Sequence, residues 1–399
     1  MNEWMSLSPA DVLPADGLAG TLVGRAWVPG PLPGPSVVVL RADGVYDLSD
    51  QMATMAGLLE RPDPVAAVRA ASGRRICTLA DLLANTTRTQ PDPQRPHLLA
   101  PCDLQVLKAA GVTFANSLLE RVIEERAGGD PARALEIRDH VQATLGADLA
   151  EVRPGSEQAA RLKALLIEQG IWSQYLEVGI GPDAEVFTKA PVLSSVGTGV
   201  EIGLHPISEW NNPEPEVVLA VDSRGRIVGA TLGNDVNLRD VEGRSALLLS
   251  KAKDNNASCA IGPFIRLFDD TFTLDDLRQE DITLRVDGAD GFVLHGASTM
   301  RQISRDPQDL VEQTVGEVHQ YPDGFMLFLG TLFAPVEDRD APGRGFTHHL
   351  GDVVTIRSAH LGALCNRVNT SDRVTPWTFG LRALIANLAA RGLLQGDRL

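Results

Sequence analysis

Hydrophobic positions along the 399-residue chain follow two different periods, and the change between them falls near Tyr175. From 117 to 172, apolar residues are spaced three and four positions apart, as on one face of an amphipathic helix. Three helices are predicted there, at 117–127, 131–145 and 157–171. The middle of the chain is therefore expected to be helical.

Beyond Tyr175 the hydrophobic period shortens toward two, which is typical of strands with one buried face. Strands are predicted at 214–222, 226–232, 282–288, 291–296, 324–333 and 351–358. A last helix is predicted over 376–392, because Pro376 suits a first helical turn and Gly392 suits the position after a helix end. The second half of the chain is therefore expected to be β-rich.

The N-terminal quarter of the chain is rich in proline and glycine and has short strand-like runs. A chain of this length exceeds the size at which one hydrophobic core usually stops growing. We therefore expect a small accessory domain over 1–99 and a larger domain over 100–399, with the helical segment at about 117–172 as an insert. The proline-rich stretch 90–97 is the predicted linker.

The chain carries a formal net charge of −16, and 44% of its residues are hydrophobic. That apolar share supports a packed core, whereas the acidic balance argues against a nucleic-acid partner, which would need clustered Lys and Arg. The four cysteines have no paired spacing, as expected of reduced thiols in the cytoplasm. The first twenty residues lack a secretory pattern, and no stretch reaches about 18 apolar residues, so neither export nor a membrane partner is expected.

Candidate chemistry begins with Glu214 and Glu216, which flank Pro215 at the start of an apolar strand. The two-residue period of a strand places both carboxylates on one face, where they repel each other unless one is protonated or a cation lies between them. Oxygen ligands favour a hard cation such as Mg²⁺, Mn²⁺ or Ca²⁺ over Zn²⁺. The alternative is a solvated strand edge, where proline is also common.

A third carboxylate, Asp235, follows the predicted strand 226–232 in a polar turn, and a hairpin return would bring it near the glutamate pair. An ordinary Asx-turn explains the same residue equally well. Lys253 is a candidate proton shuttle or enolate stabiliser if it is desolvated beside a cation, since burial and a neighbouring cation lower the pKa of a lysine. The alternative for Lys253 is a surface position, and the eight histidines show no zinc-binding spacing.

These residues fall in a series of motifs that resembles the fumarylacetoacetate hydrolase superfamily. The motifs occur in the order of the superfamily over roughly residues 100–370: LKAAGVTFANSLLERVIEE, PDAEVFTKAP, NNPEPEVVLAVD, GNDVNLRDVEGRS, KAKDNNASCAIGP and FLGTLFAP. A Glu-x-Glu pair, followed about twenty residues later by Asp and then by Lys, is specific in combination. Within the superfamily, the length and the helical insert are most similar to the 2-keto-3-deoxy-D-pentonate dehydratases of the xylonate and arabinonate type.

The resemblance implies an α+β fold, in which a β-rich catalytic domain forms a mixed β-sandwich roll and a smaller α+β domain lies at the N-terminus. It implies a hydro-lyase that dehydrates 2-keto-3-deoxy-D-xylonate to 2,5-dioxopentanoate in non-phosphorylative pentose catabolism, through a metal-stabilised enolate. The implied cofactor is Mg²⁺, with Mn²⁺ or Ca²⁺ as alternatives. The implied partners are a small 2-oxo acid and further copies of the chain, in a homodimer or homotetramer.

The resemblance also implies roles for individual residues. The metal ligands would be Glu214, Glu216 and Asp235. Lys253 falls on the active-site lysine of the superfamily, and Glu185 matches the glutamate that the dehydratases place beside the metal. Which of Lys253 and Glu185 acts as acid and which as base is left open.

Four further positions receive implied roles. Lys189 closes the motif that contains Glu185, and Thr331 matches the threonine that binds the substrate carboxylate. Glu120 matches the glutamate of a catalytic helical His-x-x-Glu element, in which Ser117 stands in place of the histidine and is grouped with the substrate-binding residues. Without that imidazole, Glu120 has less help in activating a water. This departure fits a dehydratase, since loss of hydroxide needs no attacking water.

Two other functions stay open at this point. One is metal-dependent C–C hydrolysis of acylpyruvates or diketo acids, which a histidine from elsewhere in the fold would favour. The other is a protein without catalysis that binds oxo acids or a metal. The products formed from each candidate substrate in the presence of Mg²⁺ would separate the three functions.

Overall fold

A computed structural model describes residues 5–342 and 344–395, with the backbone alone for 142–151. Residues 1–4 of the predicted accessory domain, and of the segment without a secretory pattern, lie outside this part of the chain. The strands are β1 Leu22–Val28, β2 Gly34–Arg41, β3 Gly44–Asp47, β4 Arg74–Cys77, β5 His97–Leu99, β6 Val106–Ala110, β7 Val186–Ala190, β8 Glu201–Leu204, β9 Asn211–Asn212, β10 Pro215–Val221, β11 Ile227–Asp235, β12 Asn237–Leu238, β13 Cys259–Leu267, β14 Asp281–Asp287, β15 Val293–Thr299, β16 Phe325–Phe328, β17 Val353–Ser358 and β18 Gly362–Thr370. The α-helices are α1 Pro9–Val12, α2 Met55–Leu59, α3 Pro64–Ala70, α4 Leu79–Thr86, α5 Ala115–Ala127, α6 Pro131–Glu151, α7 Glu157–Glu168, α8 Gln174–Ile180, α9 Arg239–Glu242, α10 Leu249–Lys253, α11 Leu274–Leu277, α12 Pro307–Glu312 and α13 Leu381–Ala390.

Two sheets organise these elements. The larger sheet runs in the order β4-β3-β2-β1-β13-β11-β10-β16-β6-β7, with β5 beside β1. The smaller sheet runs in the order β15-β14-β17-β18-β8, and β9 pairs with β12. Apart from the parallel pairs β6 with β16 and β8 with β18, the named strands pair antiparallel within the described residues. The predicted β-rich α+β fold is confirmed.

The burial of individual strands follows from their composition. Every residue of β10 is buried, as expected of a strand rich in Val, Leu and Ala that has other elements packed on both faces. In β14 the buried residues Ile282, Leu284 and Val286 alternate with more exposed ones, so one face of the smaller sheet is exposed there. The centre of the larger sheet is thus shielded from water, and this is where the candidate site lies.

Helices α5 to α7 correspond to the three predicted helices, and α8 follows them beyond the predicted segment. The apolar residues of these helices make a hydrophobic cluster distinct from those of the sheets. Helix α5 ends at Gly128, whose φ of 65° is left-handed and easily adopted by glycine. Helix α6 begins with Pro131 after Asp130, whose side chain accepts hydrogen bonds from the backbone N–H groups of Ala132 and Arg133. Within the described residues, no helix is long and apolar enough to cross a membrane.

The predicted helix over 376–392 is wrong at its N-terminal end, because α13 begins only at Leu381. Phe379 packs edge-on against Trp27, with ring centroids 5.5 Å apart. The indole N–H of Trp377 donates to Phe379 O at 3.1 Å. With these contacts, the backbone after Pro376 is not helical. The preference of proline for the first turn of a helix therefore gave the wrong start.

The larger sheet crosses the predicted domain boundary at residues 99 and 100. Strand β1 pairs antiparallel with β13, with Leu22 opposite Arg266 and Val23 opposite Ile265. Val23 and Ile265 also belong to one hydrophobic cluster. The N-terminal strands therefore extend the sheet that carries the candidate site, and the division into two domains stays a prediction.

Candidate active site

Three carboxylates meet where β10 and β11 lie side by side. Glu216 lies opposite Gly233 in this antiparallel pair, and the backbone N–H of Asp235 donates to Glu214 O at 3.1 Å. This hairpin return brings one carboxylate oxygen of each acidic residue within 4.8 Å of the others. All three side chains are buried, so the solvated strand edge considered for the glutamate pair is wrong.

The arrangement fits a hard divalent cation. Oxygens on opposite sides of such an ion are about 4.2 Å apart for Mg²⁺ and about 5 Å apart for Ca²⁺, and the three oxygens here lie within 4.8 Å. Oδ1 of Asp235 is buried without a hydrogen bond of good geometry, although Lys189 Nζ lies 2.8 Å away. Among the described residues, no other group of three His, Cys, Asp or Glu side chains is close enough to hold a metal.

The charges around the cluster also favour a cation. The cluster and its neighbours contain six carboxylates: Glu124, Glu185, Glu214, Glu216, Asp235 and Glu242. They are accompanied by four cations: Arg121, Lys189, Lys253 and Arg239. When all six carboxylates are ionised, the excess of two negative charges equals the charge of one divalent ion. Burial, followed by repulsion from Asp235 and Glu214, raises the pKa of Glu216 well above its ordinary value, and a bound cation would oppose that rise.

Lys253 lies between two of the clustered carboxylates. Its Nζ donates to Glu214 Oε2 and, at 3.2 Å, to Asp235 Oδ2. Burial lowers the pKa of Lys253, but attraction to Asp235, Glu214 and Glu242 outweighs burial and raises that pKa above its ordinary value. The surrounding carboxylates therefore favour protonated Lys253, and the lowered pKa expected beside a bound cation stays a prediction.

Lys189 lies behind the cluster and does not line the cavity that opens onto it. Its fully buried Nζ donates to Lys253 O and, at 3.2 Å, to Val236 O. Although burial pulls the pKa of Asp235 upward, attraction to Lys189 and Lys253 lowers it below its ordinary value. Lys189 therefore holds Asp235 in place, and its predicted contact with substrate stays a prediction.

A small cavity of about 20 Å³ opens onto the cluster, and its wall includes Ser117, Glu185 and Thr331. The Thr331 hydroxyl donates to Phe333 O at 2.9 Å. The Ser117 hydroxyl donates to Phe114 O, also at 2.9 Å. The structure therefore places both predicted substrate-binding hydroxyls at the cavity, and their contact with substrate stays a prediction.

Glu185 reaches the cavity from the position just before β7. The backbone N–H of Gly111 donates to Glu185 O at 3.1 Å, and a Cβ atom at Gly111 would lie 1.9 Å from Glu185 Oε2. Glycine at 111 therefore leaves the space that the carboxylate occupies. Burial raises the pKa of Glu185 against the attraction of Arg121 and Lys253. A carboxyl with a raised pKa beside a cation site suits acid–base chemistry.

Glu120 does not line this cavity, and its predicted catalytic role stays a prediction. Its carboxylate accepts hydrogen bonds from both terminal nitrogens of Arg138, one of them at 2.9 Å, and from Arg239 NH2 at 3.0 Å. Ser117 and Arg121, which lie one turn apart on α5, line the cavity instead. Arg138 and Arg239 thus donate hydrogen bonds to both carboxylate oxygens of Glu120.

Glu120→Gln is expected to lower the free energy of unfolding by about 1–3 kcal/mol, because charge-assisted hydrogen bonds to Arg138 and Arg239 are lost. Urea unfolding followed by circular dichroism measures the change. Glu136→Gln is the matched control, since Glu136 is exposed on α6 and a surface change usually costs no more than about 0.5 kcal/mol. Equal stability of the two variants would contradict a structural role for Glu120.

Two charged residues of the cavity wall were not predicted from the sequence, Arg121 and Glu242. Arg121 NH2 donates to Glu214 Oε1, and Arg121 NH1 lies 3.4 Å from Glu242 Oε2. Burial raises the pKa of Glu242 to about 7. Glu242 lies inside the quoted motif that contains Asp235, which was an available signal. Arg121 also lies inside a quoted motif, but its helix does not mark it, because a charged residue in an amphipathic helix usually faces solvent.

Comparison with known proteins shows which proteins the chain resembles. Residues 195–369 match the family model described as Fumarylacetoacetate (FAA) hydrolase C-terminal. The chain is 28% identical over 231 residues to 2-dehydro-3-deoxy-D-arabinonate dehydratase of Saccharolobus solfataricus, an overlap of 57% of this chain and 70% of that protein. It is 30% identical over 203 residues to a Haloferax volcanii protein named "Probable 2-keto-3-deoxyxylonate dehydratase", an overlap of 51% of this chain and 66% of that protein.

The fold is also similar to a solved structure of a 2-keto-3-deoxy-D-arabinonate dehydratase complexed with magnesium and 2,5-dioxopentanoate. The TM-score is 0.59 at 20% identity, and the match covers 88% of this chain and 99% of the other. At that identity the likeness concerns the fold. The range matched by the family model contains the three clustered carboxylates and Lys253. The chain therefore resembles the fumarylacetoacetate hydrolase family over residues 195–369, and its fold is similar to that of the solved dehydratase.

Proposed function

We propose that this chain is a divalent-metal-dependent hydro-lyase that removes water from a 2-keto-3-deoxy-D-pentonate. The leading substrate is 2-keto-3-deoxy-D-xylonate, and the product is 2,5-dioxopentanoate. The observation that carries the proposal is the convergence of three buried carboxylates on one cavity that Glu185 and Lys253 also line. The names of the two relatives, and the product named with the similar structure, support the substrate class.

Glu214, Glu216 and Asp235 would hold the metal, with Mg²⁺ preferred and Mn²⁺ or Ca²⁺ as alternatives. When bound there, the cation supplies a Lewis acid that takes up negative charge developing on the oxygens of the 2-oxo acid. Lys189 and Lys253 hold Asp235 from two sides, at 2.8 Å and 3.2 Å, so this carboxylate is oriented before any ligand arrives.

Glu185 is the group that we assign as the base for the proton on carbon 3. It must be ionised to act, so turnover should increase as the pH rises through the raised pKa of Glu185. Lys253, whose Nζ donates to Glu214 and Asp235 at the cavity, is assigned to protonate the hydroxyl that departs from carbon 4. Tautomerisation of the resulting hydroxy-enone then gives the aldehyde at carbon 5.

We further propose that the protein acts in the cytoplasm as a homodimer or homotetramer. All four cysteines are free, which suits a reducing compartment. Light scattering on the purified protein would give the number of subunits.

Incubation of the purified chain with Mg²⁺ and 2-keto-3-deoxy-D-xylonate is expected to give 2,5-dioxopentanoate, and EDTA should abolish the reaction without unfolding the protein. Mass spectrometry of the products tests the proposal. Cleavage of acylpyruvates into two acids would identify a hydrolase instead. Absence of any product from either class of substrate would contradict an enzymatic function of this type.

A further inference from the structure

Arg121 joins the proposed metal ligand Glu214 to the helical insert. Its NH2 group donates to Oε1 of Glu214, and its NH1 group donates to Oε2 of Glu124, on the same helix as Arg121. The arginine is only 7% exposed, so these interactions are weakly screened by water. Because Lys253 donates to Oε2 of Glu214, cations hold both oxygens of this carboxylate.

Arg121 is itself held in place by further buried groups. Oε1 of Glu124 accepts a hydrogen bond from Arg239 Nε at 2.6 Å. Arg239 NH1 donates to Pro335 O at 2.9 Å, and its guanidinium lies 4.6 Å from the centre of the Trp210 ring. Although burial opposes it, attraction to Arg121 and Arg239 lowers the pKa of Glu124 and keeps it ionised. The Arg121 guanidinium therefore has little freedom to turn away from Glu214.

Two effects of Arg121 on a cation at this site oppose each other. Its positive charge repels the ion, whereas its hydrogen bond fixes the direction of the Glu214 carboxylate. The repulsion is reduced because the Glu124 and Glu242 carboxylates also face Arg121. Among the described residues, Glu214 Oε1 has no other hydrogen-bond donor, so without Arg121 this oxygen would lose its only fixed contact. Orientation should therefore be the larger effect.

We infer that Arg121 is a positioning residue that orients Glu214 for the cation and thereby raises the metal affinity of the site. The role is independent of the substrate, although it rests on the metal site of the proposed function. Groups that orient metal ligands from outside the coordination sphere typically contribute a factor of about 10–100 to metal affinity. An effect of that size is measurable directly on the protein.

Arg121→Lys is expected to weaken Mg²⁺ binding about tenfold or more, because lysine keeps the charge but cannot bridge Glu214 and Glu124 in the same geometry. Isothermal titration calorimetry of the metal-free protein gives the Kd. The Mg²⁺ concentration that gives half-maximal turnover should rise together with the Kd, because the substitution acts through the metal site. Arg121→Met should also bind Mg²⁺ more weakly, even though it removes a charge that repels the ion.

Arg138→Lys is the matched control, because Arg138 also pairs with a glutamate of α5 but has no contact with the metal ligands. Its Kd for Mg²⁺ should be unchanged. Thermal unfolding of the metal-free variants shows whether each is folded before titration. Unchanged or tighter Mg²⁺ binding by folded Arg121→Lys would overturn the inference. If the unmodified chain shows no turnover but the Kd values follow this pattern, the proposed substrate is wrong and the role of Arg121 stands.

Discussion

Glu216→Gln is expected to lower kcat/KM by about a thousand-fold or more and to abolish tight Mg²⁺ binding. Glutamine still offers an acceptor to the backbone N–H of Gly330, which lies 2.7 Å from Glu216 Oε2. The substitution removes one of the three clustered carboxylates while keeping the shape of the side chain. The Lewis-acid contribution that is lost is worth several kcal/mol, and each 1.36 kcal/mol is about a factor of ten in rate.

Glu216→Gln should make the metal-free protein more stable, although it lowers activity and Mg²⁺ affinity. Burial, then repulsion from Asp235 and Glu214, raises the pKa of Glu216 above its ordinary value of 4.5. Below pH 4.5 the protonated carboxyl of Glu216 therefore stabilises the folded protein. This stabilisation is lost as the pH rises through the pKa of Glu216 in the folded state. The Gln side chain cannot ionise. At neutral pH in EDTA, urea unfolding should give the variant a larger free energy of unfolding than the unmodified protein.

Added Mg²⁺ distinguishes a lost ligand from a misfolded site. At a free Mg²⁺ concentration of one hundred times Kd, the unmodified protein should gain about 2.7 kcal/mol of stability. Glu216→Gln should gain almost nothing at the same concentration. Equal stabilisation of both proteins by Mg²⁺ would show that Glu216 is not a ligand.

Glu185→Gln is expected to lower kcat by about 10²–10⁴ while changing the Kd for Mg²⁺ by no more than a few-fold. Glu185 lines the cavity but is not one of the three carboxylates whose oxygens converge. Its loss therefore removes a proton acceptor without removing a ligand. Steady-state kinetics at saturating Mg²⁺, together with calorimetry on the same protein, measure the two effects separately.

The pH dependence of the residual activity gives a second check on Glu185. In the unmodified protein, kcat/KM should increase with pH through the raised pKa of this carboxyl, because the base acts when ionised. This increasing limb of the pH profile should be missing from Glu185→Gln. Glu120→Gln is the matched control and should keep the limb, since its carboxylate is bound by Arg138 and Arg239 away from the cavity. A profile of Glu185→Gln parallel to that of the unmodified protein would assign the base to another residue.

The carboxylate cluster could be anticipated because it depends on local geometry. Glu214 and Glu216 share a face through the two-residue period of a strand, and the hairpin between β10 and β11 returns Asp235 to them. The helical insert was also predictable, since its apolar residues follow the helical period and Gly128 and Asp130 mark its first helix boundaries.

Other features depend on packing between distant segments, which the sequence pattern does not encode. Arg121 faces Glu214 across 93 positions of sequence, and its helix gave no sign that this charged residue is buried. The motif placed Glu120 at the site, whereas Arg138 and Arg239 hold it elsewhere. The raised pKa of Lys253 likewise depends on how many carboxylates surround it, which only the three-dimensional arrangement reveals.

Crystals of the chain soaked with Mn²⁺ test most directly whether the three carboxylates bind one cation. Anomalous diffraction at the manganese edge should show a single peak among the carboxylate oxygens of Glu214, Glu216 and Asp235. A peak at another position, or none at a saturating Mn²⁺ concentration, would contradict the metal site on which the proposed dehydration rests.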